Sequence, residues 1–241
     1  MSFKWNKLYE YPASMRTSIE GKRHYEITGK KLPSVTTILS ATKSQEAIDS
    51  INRWKARVGE DQATRVKDQA ASRGTNMHYH LEKYILGEGH KDLTDEGQVA
   101  GDMAQVIIDK GLVDLSEIWG SEVTLYYPGL YAGATDLVGV YDYEDSIVDF
   151  KQSNKPKRAE WITDYKLQMV AYAMAHDFVH GSEIEQGVIL MCTPDNFFQR
   201  FIVNGSEFRA LKVEWLKRID AFYAQREASS KPQAASNEGR G

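Results

Sequence analysis

Three short segments rich in β-branched and aromatic residues follow one another between residues 122 and 150, and they limit the fold more than any other feature of the chain. They cover 122–127, 131–143 and 146–150, with turn-forming residues at 128–129 and 142–145 between them. Residues of this kind favour strands, and the breaks favour tight turns. We therefore predict an antiparallel meander of three strands.

Apolar residues at helical spacing dominate on both sides of these strands. In chain order, the other predicted elements are a weak hairpin over 8–29, helices over 33–39, 44–54, 61–86 and 94–110, then a helix over 161–179, strands over 187–192 and 197–203, and a final helix over 206–224. Pro33 suits the first turn of the first helix, and Gly74 is a candidate break in the third. This order predicts an α/β fold, with a central mixed β-sheet flanked by helices and a helical N-terminal elaboration.

The 241 residues show no break in composition that would separate two independent domains. We predict one structural domain in which residues 1–115 form an N-terminal hairpin and helical region and residues 116–227 form the core. Residues 228–241 are small and polar and lack an apolar anchor, so we predict a disordered tail. No apolar run is long enough to cross a bilayer, and no membrane partner is expected.

Charge and cysteine content restrict the classes of site. The formal net charge of -4 provides no overall attraction for nucleic acid, so any such attraction must come from local basic clusters. Cys192 is the single cysteine, which excludes an intramolecular disulfide and any zinc or iron–sulfur site built from several cysteines.

The segment Asp149-Phe150-Lys151 ends the third predicted strand and places a carboxylate and an ammonium on the same face, because residues two apart on a strand point the same way. Asp136 lies on the preceding strand and would stand beside Asp149 if the two strands pair. Glu122 adds an acid on the strand before that. An exposed ion pair and ordinary turn acids are the alternative interpretation.

Neighbouring carboxylates repel each other unless a cation neutralises them, and hard oxygen ligands suit Mg²⁺ or Mn²⁺. Such a site can orient a water and stabilise charge that develops on a phosphodiester, with Lys151 helping to position or activate the water. The set therefore favours phosphoryl chemistry.

Two helical segments add polar side chains to this set. Gln168 and Tyr172 lie four residues apart on one helical face, soon after the strand that carries Lys151. Upstream, His78 closes the segment Arg73-Gly74-Thr75-Asn76-Met77-His78 and is a candidate extra metal ligand. A half-buried tyrosine and a structural histidine are the alternatives for these positions.

Taken in order, these elements resemble the PD-(D/E)XK nuclease superfamily in its RecB-like branch. The matching elements are RGTxxH ending at His78, Glu122, GxxD ending at Asp136, DxK from Asp149 to Lys151, and QxxxY from Gln168 to Tyr172. Segments at 33–36, 53–55 and 153–157 resemble the mitochondrial genome maintenance exonucleases and their phage relatives. The resemblance covers roughly residues 30–220.

The resemblance implies a restriction-endonuclease-like core over 116–227 and a role for each matching residue. It places His78, Asp136, Asp149 and the backbone carbonyl of Phe150 as metal ligands, and Lys151 in catalysis. Glu122, Gln168 and Tyr172 complete the catalytic set. Thr135 replaces the proline of the superfamily's name, and the missing cysteines leave no iron–sulfur cluster.

Basic residues near this site are candidates for DNA contact. Lys155, Lys157 and Arg158 follow the lysine strand closely enough to meet a phosphate, and such contacts weaken with salt. Second choices are Arg73, Arg53 and Trp54, the last as a stacking platform or, alternatively, a core residue.

We predict a Mg²⁺- or Mn²⁺-dependent DNA exonuclease for single-stranded or frayed ends, in phage or bacterial DNA replication, recombination or degradation. The expected location is cytoplasmic, in the host cytoplasm if the chain is phage-encoded, with replication or recombination proteins as further partners. The alternatives are a structure-specific endonuclease on the same core and a catalytically idle DNA-binding recombination module.

Overall fold

The computed structural model describes residues 3–230 and confirms the α/β fold class. The strands are β1 Lys4–Trp5, β2 Met15–Ile19, β3 Lys22–Ile27, β4 Lys30–Pro33, β5 Leu115–Tyr127, β6 Tyr131–Tyr141, β7 Glu144–Gln152, β8 Gln186–Cys192 and β9 Phe198–Val203. The helices are α1 Val35–Ala41, α2 Gln45–Val58, α3 Glu60–Ile85, α4 Asp95–Lys110, α5 Thr163–His180 and α6 Gly205–Ser230. Two short 3₁₀ turns cover Leu112–Asp114 and Ala159–Trp161.

The central sheet has six strands in the order β1-β5-β6-β7-β8-β9, and it is mixed, as predicted. Strands β5, β6 and β7 form the predicted antiparallel meander. Helix α5 then crosses over so that β8 lies parallel to β7, and β9 returns antiparallel to β8. Strand β5 begins at Leu115, earlier than the segment 122–127 predicted from composition.

Helices cover both faces of this sheet because its strands alternate apolar residues to each side. On β7, Ile147 belongs to the core under α5 and α6, whereas Val148 and Phe150 belong to the core under α3 and α4. Asp149 and Lys151 therefore share the α5 face with Ile147. The alternation places two charged side chains at the buried end of a central strand.

The N-terminal region is mixed rather than purely helical. The predicted hairpin is present as β2 and β3, whose turn residues Glu20 and Gly21 have φ of 51° and 72°, as a tight primed turn requires. Strand β4 adds a third antiparallel strand that ends at Pro33, so the first helix starts at Val35 with Ser34 as its N-cap. The expectation of Pro33 inside that helix was wrong, because β4 takes the residue as its last position.

The ends of the predicted regions also need correction. Strand β1, within residues 1–115, pairs parallel with β5 and so belongs to the central sheet. Helix α6 continues to Ser230, past the start of the predicted tail at residue 228. The rest of that tail, residues 231–241, lies outside the described residues. Among helices of the described chain, none is long and apolar enough to span a membrane.

His176 ties α5 to the segment before β2 and makes stability sensitive to acid. The ring is fully buried, with Nε2 at 3.1 Å from the Tyr11 hydroxyl and Nδ1 at 2.6 Å from Ser182 Oγ. Burial, together with the neighbouring His180, lowers the pKa of His176 from 6.5 to about 3. The folded state thus holds a neutral imidazole that the unfolded chain protonates below pH 6.5.

We expect this linkage to reduce the free energy of unfolding as the pH falls from 6.5 towards 3. Between pH 8 and pH 5 the loss from His176 alone should be about 2 kcal/mol. Urea melts across this range should show a steeper decline for the native chain than for His176→Gln, which keeps a donor and an acceptor. Equal slopes for the two proteins would contradict the assignment.

Candidate active site

The predicted catalytic residues converge on one cavity of about 610 Å³. The wall residues come from α3, the β2–β3 hairpin, the meander and α5. They include His78, Glu122, Asp136, Asp149, Lys151, Gln168 and Tyr172. Every side chain of the predicted catalytic and metal sets therefore borders the same space.

The ladder between β6 and β7 ends at the pair Leu137 and Val148, and the two aspartates lie just beyond it. Asp136 Oδ2 accepts a hydrogen bond from the Phe150 backbone N–H at 2.6 Å. Asp149 on the neighbouring strand is 2% exposed. The strands thus bring two buried carboxylates together where their own pairing stops.

Asp149 forms an ion pair with Lys151 on the α5 face. Burial raises the pKa of Asp149, and the charge on Asp136 raises it further, against the opposing effect of Lys151. Burial alone would lower the pKa of Lys151, but Asp149 and Asp136 raise it above its ordinary value. Lys151 is therefore a fixed ammonium in this arrangement, suited to donate hydrogen bonds and to stabilise negative charge.

His78, Glu122 and Asp136 form a group that could hold a metal ion, with one ligand atom from each lying within 4.8 Å of the others. His78 Nδ1 is 3.2 Å from Asp136 Oδ1. Burial acts to lower the pKa of His78, but Asp136 raises it to about 9. Glu122 is exposed as a whole residue, yet desolvation of its carboxylate and the charge of Asp136 raise its pKa to about 7.

The electrostatics of this group fit a divalent cation. Two carboxylates with raised pKa values, Glu122 and Asp149, gather around Asp136, whose charge contributes to both shifts. A cation offsets such repulsion and accepts oxygen and imidazole ligands. The Phe150 backbone N–H donates a hydrogen bond to Asp136 at this site. The role of the Phe150 carbonyl as a metal ligand stays a prediction.

Glu122 reaches the cavity through an unusual backbone conformation. Its φ is 53°, in the left-handed region, between the pairs Ser121 with Leu137 and Val123 with Thr135. A non-glycine residue in this region costs on the order of 1–3 kcal/mol, and such strain is concentrated at functional sites. The strained residue turns its carboxylate towards Asp136.

Gln168 and Tyr172 share one face of α5, as their spacing predicted, and they line the cavity together with the two aspartates. Gln168 Nε2 donates to the Tyr172 hydroxyl at 3.0 Å, and burial raises the pKa of Tyr172. A Cβ on Gly133 would lie 2.6 Å from the Tyr172 ring. Glycine at 133 is therefore needed for the ring to pack beside β6.

Close packing of α3 on the end of β7 brings His78 to the cavity. A Cβ on Gly74 would already lie 3.3 Å from the Gln152 side chain, so the helix approaches the strand closely there. The helix is continuous at Gly74, and the predicted break is absent. Arg73 adds a 3.1 Å hydrogen bond to Gln152 and another to Asn154. The RGTxxH segment thus fastens its helix to the strand that carries Lys151.

The basic residues predicted for DNA contact do not line the cavity. Lys155, Lys157 and Arg158 follow β7 in a loop and are absent from the cavity lining. Lys157 bonds to Gln199 through its backbone, and Arg158 lies 5.2 Å from the centre of the exposed Trp161 ring. This loop follows the strand that carries Lys151 but does not form part of the cavity wall.

The two second-choice positions on α2, together with Arg73, are also outside the immediate site. Arg53 is exposed and Trp54 half-buried on a helix that packs against α3. Arg73 is engaged with β7. Their roles in DNA contact stay predictions.

Several cavity residues have no counterpart in the sequence predictions, among them Tyr165, Arg16 and Arg23. Tyr165 lies under Lys151, whose Nζ is 5.1 Å from the ring centre, while Arg16 and Arg23 come from the β2–β3 hairpin. The helical spacing from Gln168 could have indicated Tyr165, which is three residues earlier. No local signal marks the arginines, because only tertiary packing brings the hairpin to the site.

The sequence is similar to curated proteins named mitochondrial genome maintenance exonuclease 1. The Xenopus tropicalis protein is 25% identical over 93% of this chain and 66% of its own length, and the Homo sapiens protein is 29% identical over 68% of this chain and 50% of its own length. No family model matches the sequence. A solved structure from Eubacterium rectale has a TM-score of 0.47 and 12% identity, over 70% of this chain and 76% of that one.

These sequence relatives support the nuclease family that the motifs indicate. The chain spans between half and two-thirds of the length of the curated relatives it matches. The similarity therefore covers part of each of those proteins.

Proposed function

We propose that this protein is a divalent-metal-dependent DNA exonuclease that acts on single-stranded or frayed ends. The observation that carries the proposal is the convergence of Asp136, Asp149, Lys151, His78 and Glu122 on one cavity. The curated relatives named as exonucleases support the same class of reaction.

His78, Glu122 and Asp136 would hold the metal, with Asp149 beside them. Their two carboxylates suit Mg²⁺ or Mn²⁺, and the imidazole adds a nitrogen ligand. A divalent ion bound to such ligands supplies Lewis acidity towards a phosphoryl oxygen and lowers the pKa of a bound water. The crowded carboxylates give the chain an electrostatic reason to bind it.

The other side chains hold the reacting phosphodiester. The Lys151 ammonium is directed by Asp149 and donates to an oxygen on which negative charge develops during the reaction. The Tyr172 hydroxyl accepts from Gln168, which leaves its own proton to donate to a phosphate oxygen or a water. Fixed donors of this kind need no reorganisation during the reaction.

The proposal also covers the roles of the two regions of the chain, the biological process and the cellular location. Residues 116–227 would form the nuclease core, and residues 1–115 would contribute His78 and DNA contacts. We propose a role in phage or bacterial DNA replication, recombination or degradation, in the cytoplasm, with proteins of those processes as partners. The curated relatives are mitochondrial by name, so expression with a fluorescent tag would test the compartment.

Degradation of end-labelled linear single-stranded DNA, beside a closed single-stranded circle, tests the activity. We expect loss of the linear strand with Mg²⁺ or Mn²⁺, no cutting of the circle, and no reaction with a chelator. Cutting of the circle would show the endonuclease instead. Tight binding without cleavage in either metal would leave the idle DNA-binding module.

A further inference from the structure

The small sheet formed by β2, β3 and β4 presents one face to the body of the protein. Tyr25, Ile27 and Leu32 on this face are buried and pack with Ala132 of β6. Directly paired residues in antiparallel strands share a face. This sheet is therefore attached to β6, the strand that carries Asp136.

Two arginines occupy the same inner face beyond the apolar contact. Arg16 pairs with Tyr25, and Arg23 lies two residues before Tyr25 on the same strand. Both line the cavity that holds Asp136, Asp149 and Lys151. They also line an adjoining hollow of about 400 Å³ over the hairpin.

Arg16 and Arg23 are the cavity's unpaired cations. Lys151 is held by Asp149, and Arg73 near the rim is held by Gln152 and Asn154. Within residues 3–230, in contrast, neither Arg16 nor Arg23 has a carboxylate within ion-pair distance or a side-chain hydrogen bond. Their guanidinium donors are free for a ligand.

Two free guanidinium groups beside a carboxylate-rich centre form a site that favours binding of an anion. A guanidinium matches the oxygens of a phosphate with two parallel donors, whereas the carboxylates across the cavity attract cations. A DNA strand whose reacting phosphate lies at the carboxylates would carry its next phosphate a short distance along the backbone. The arginine wall bounds the same cavity as the carboxylates.

We propose that Arg16 and Arg23 bind a backbone phosphate next to the one that is hydrolysed and thereby position the strand. This assignment rests on the proposed nuclease function. It differs from the basic loop at 155–158, because it places the phosphate contact on the hairpin wall of the cavity. Arg16 and Arg23 are positioning residues, since their contact lies away from the reacting atoms.

The test is the double variant Arg16→Ala with Arg23→Ala, matched to Lys22→Ala with Lys31→Ala. The control removes the same charge from exposed positions on the opposite face of the same small sheet. With a linear single-stranded oligonucleotide, the arginine variant should raise KM roughly tenfold or more and change kcat less than threefold. Lysine at both positions should restore part of the affinity.

Salt dependence gives a readout that a merely structural defect would not produce. Fluorescence anisotropy of a labelled single strand in chelator should show log Kd changing less steeply with log salt, by roughly 0.7 for the one phosphate that the two arginines share. Because neither arginine has an ion pair, melting temperatures should stay within about 3 °C of the native chain.

The outcomes separate the two proposals. Native protein that neither binds nor degrades DNA would defeat the nuclease assignment itself. Native protein that degrades DNA, with the arginine variant indistinguishable from the lysine control in KM and salt slope, would defeat the arginine assignment alone.

Discussion

Replacing Lys151 with alanine should lower the rate of DNA hydrolysis by a hundredfold to a thousandfold while leaving DNA affinity within a few-fold of the native value. The Lys151 ammonium is largely enclosed, with 17% of its side chain exposed, and Asp149 fixes its direction. A preorganised donor in such a site acts mainly on charge that develops in the transition state, and removing one costs about 2.7–4 kcal/mol. Single-turnover degradation of an end-labelled strand measures the rate, and anisotropy in chelator measures affinity.

Lys166→Ala is the matched control for this substitution. Lys166 is also a largely enclosed lysine with a carboxylate partner, because its Nζ lies 2.6 Å from Glu207 Oε1 with 12% of its side chain exposed. It lies on α5 but does not line the cavity. An equal loss of activity in both variants would point to disturbed folding instead of lost chemistry.

Replacing Asp136 with asparagine should abolish stabilisation of the fold by divalent cations. Asp136 is the central member of the candidate metal-binding group His78, Glu122 and Asp136. Its Oδ1 lies next to His78 Nδ1, and its Oδ2 accepts a hydrogen bond from the Phe150 N–H. Asparagine keeps the shape but removes the negative charge that a hard cation requires. Activity should fall with metal affinity.

Thermal melts of the DNA-free protein with Mg²⁺, Mn²⁺ or chelator measure this effect without relying on catalysis. At a hundred times the dissociation constant, bound metal adds about 2.7 kcal/mol, which corresponds to a rise of about 5–10 °C for a chain of this size. Asp114→Asn is the control, since Asp114 forms an ion pair with Arg200 away from the cavity. An equal metal-induced rise in Asp136→Asn and the native chain would refute the assignment.

The central part of this site follows from periodicities that are visible in the sequence. Asp149 and Lys151 are two apart on a strand and share a face, and Gln168 and Tyr172 are four apart on a helix and share another. The turn at 142–145 then brings Asp136 beside Asp149, because it joins two segments of strand composition. Short-range rules suffice where the chain folds back on itself.

The remaining parts depend on packing between distant segments. The approach of α3 to β7 depends on how Gly74 fits against Gln152, and the left-handed backbone of Glu122 depends on its neighbours in β5 and β6. The third strand of the small sheet was missed because Pro33 suits a helix start equally well. Arg16 and Arg23 lie more than a hundred residues from the aspartates they face, so no local pattern could place them there.

The attachment of the small sheet has a consequence for how such a molecule can diversify. Its apolar contact consists of Tyr25, Ile27 and Leu32 against β6, and its hairpin turn at Glu20 and Gly21 is exposed. The turn can change in length without altering the register of the six-stranded sheet. Under the proposed function, positioning of a nucleic-acid strand and hydrolysis of its backbone are thus encoded in separate stretches of polypeptide, and one can evolve while the other is held constant.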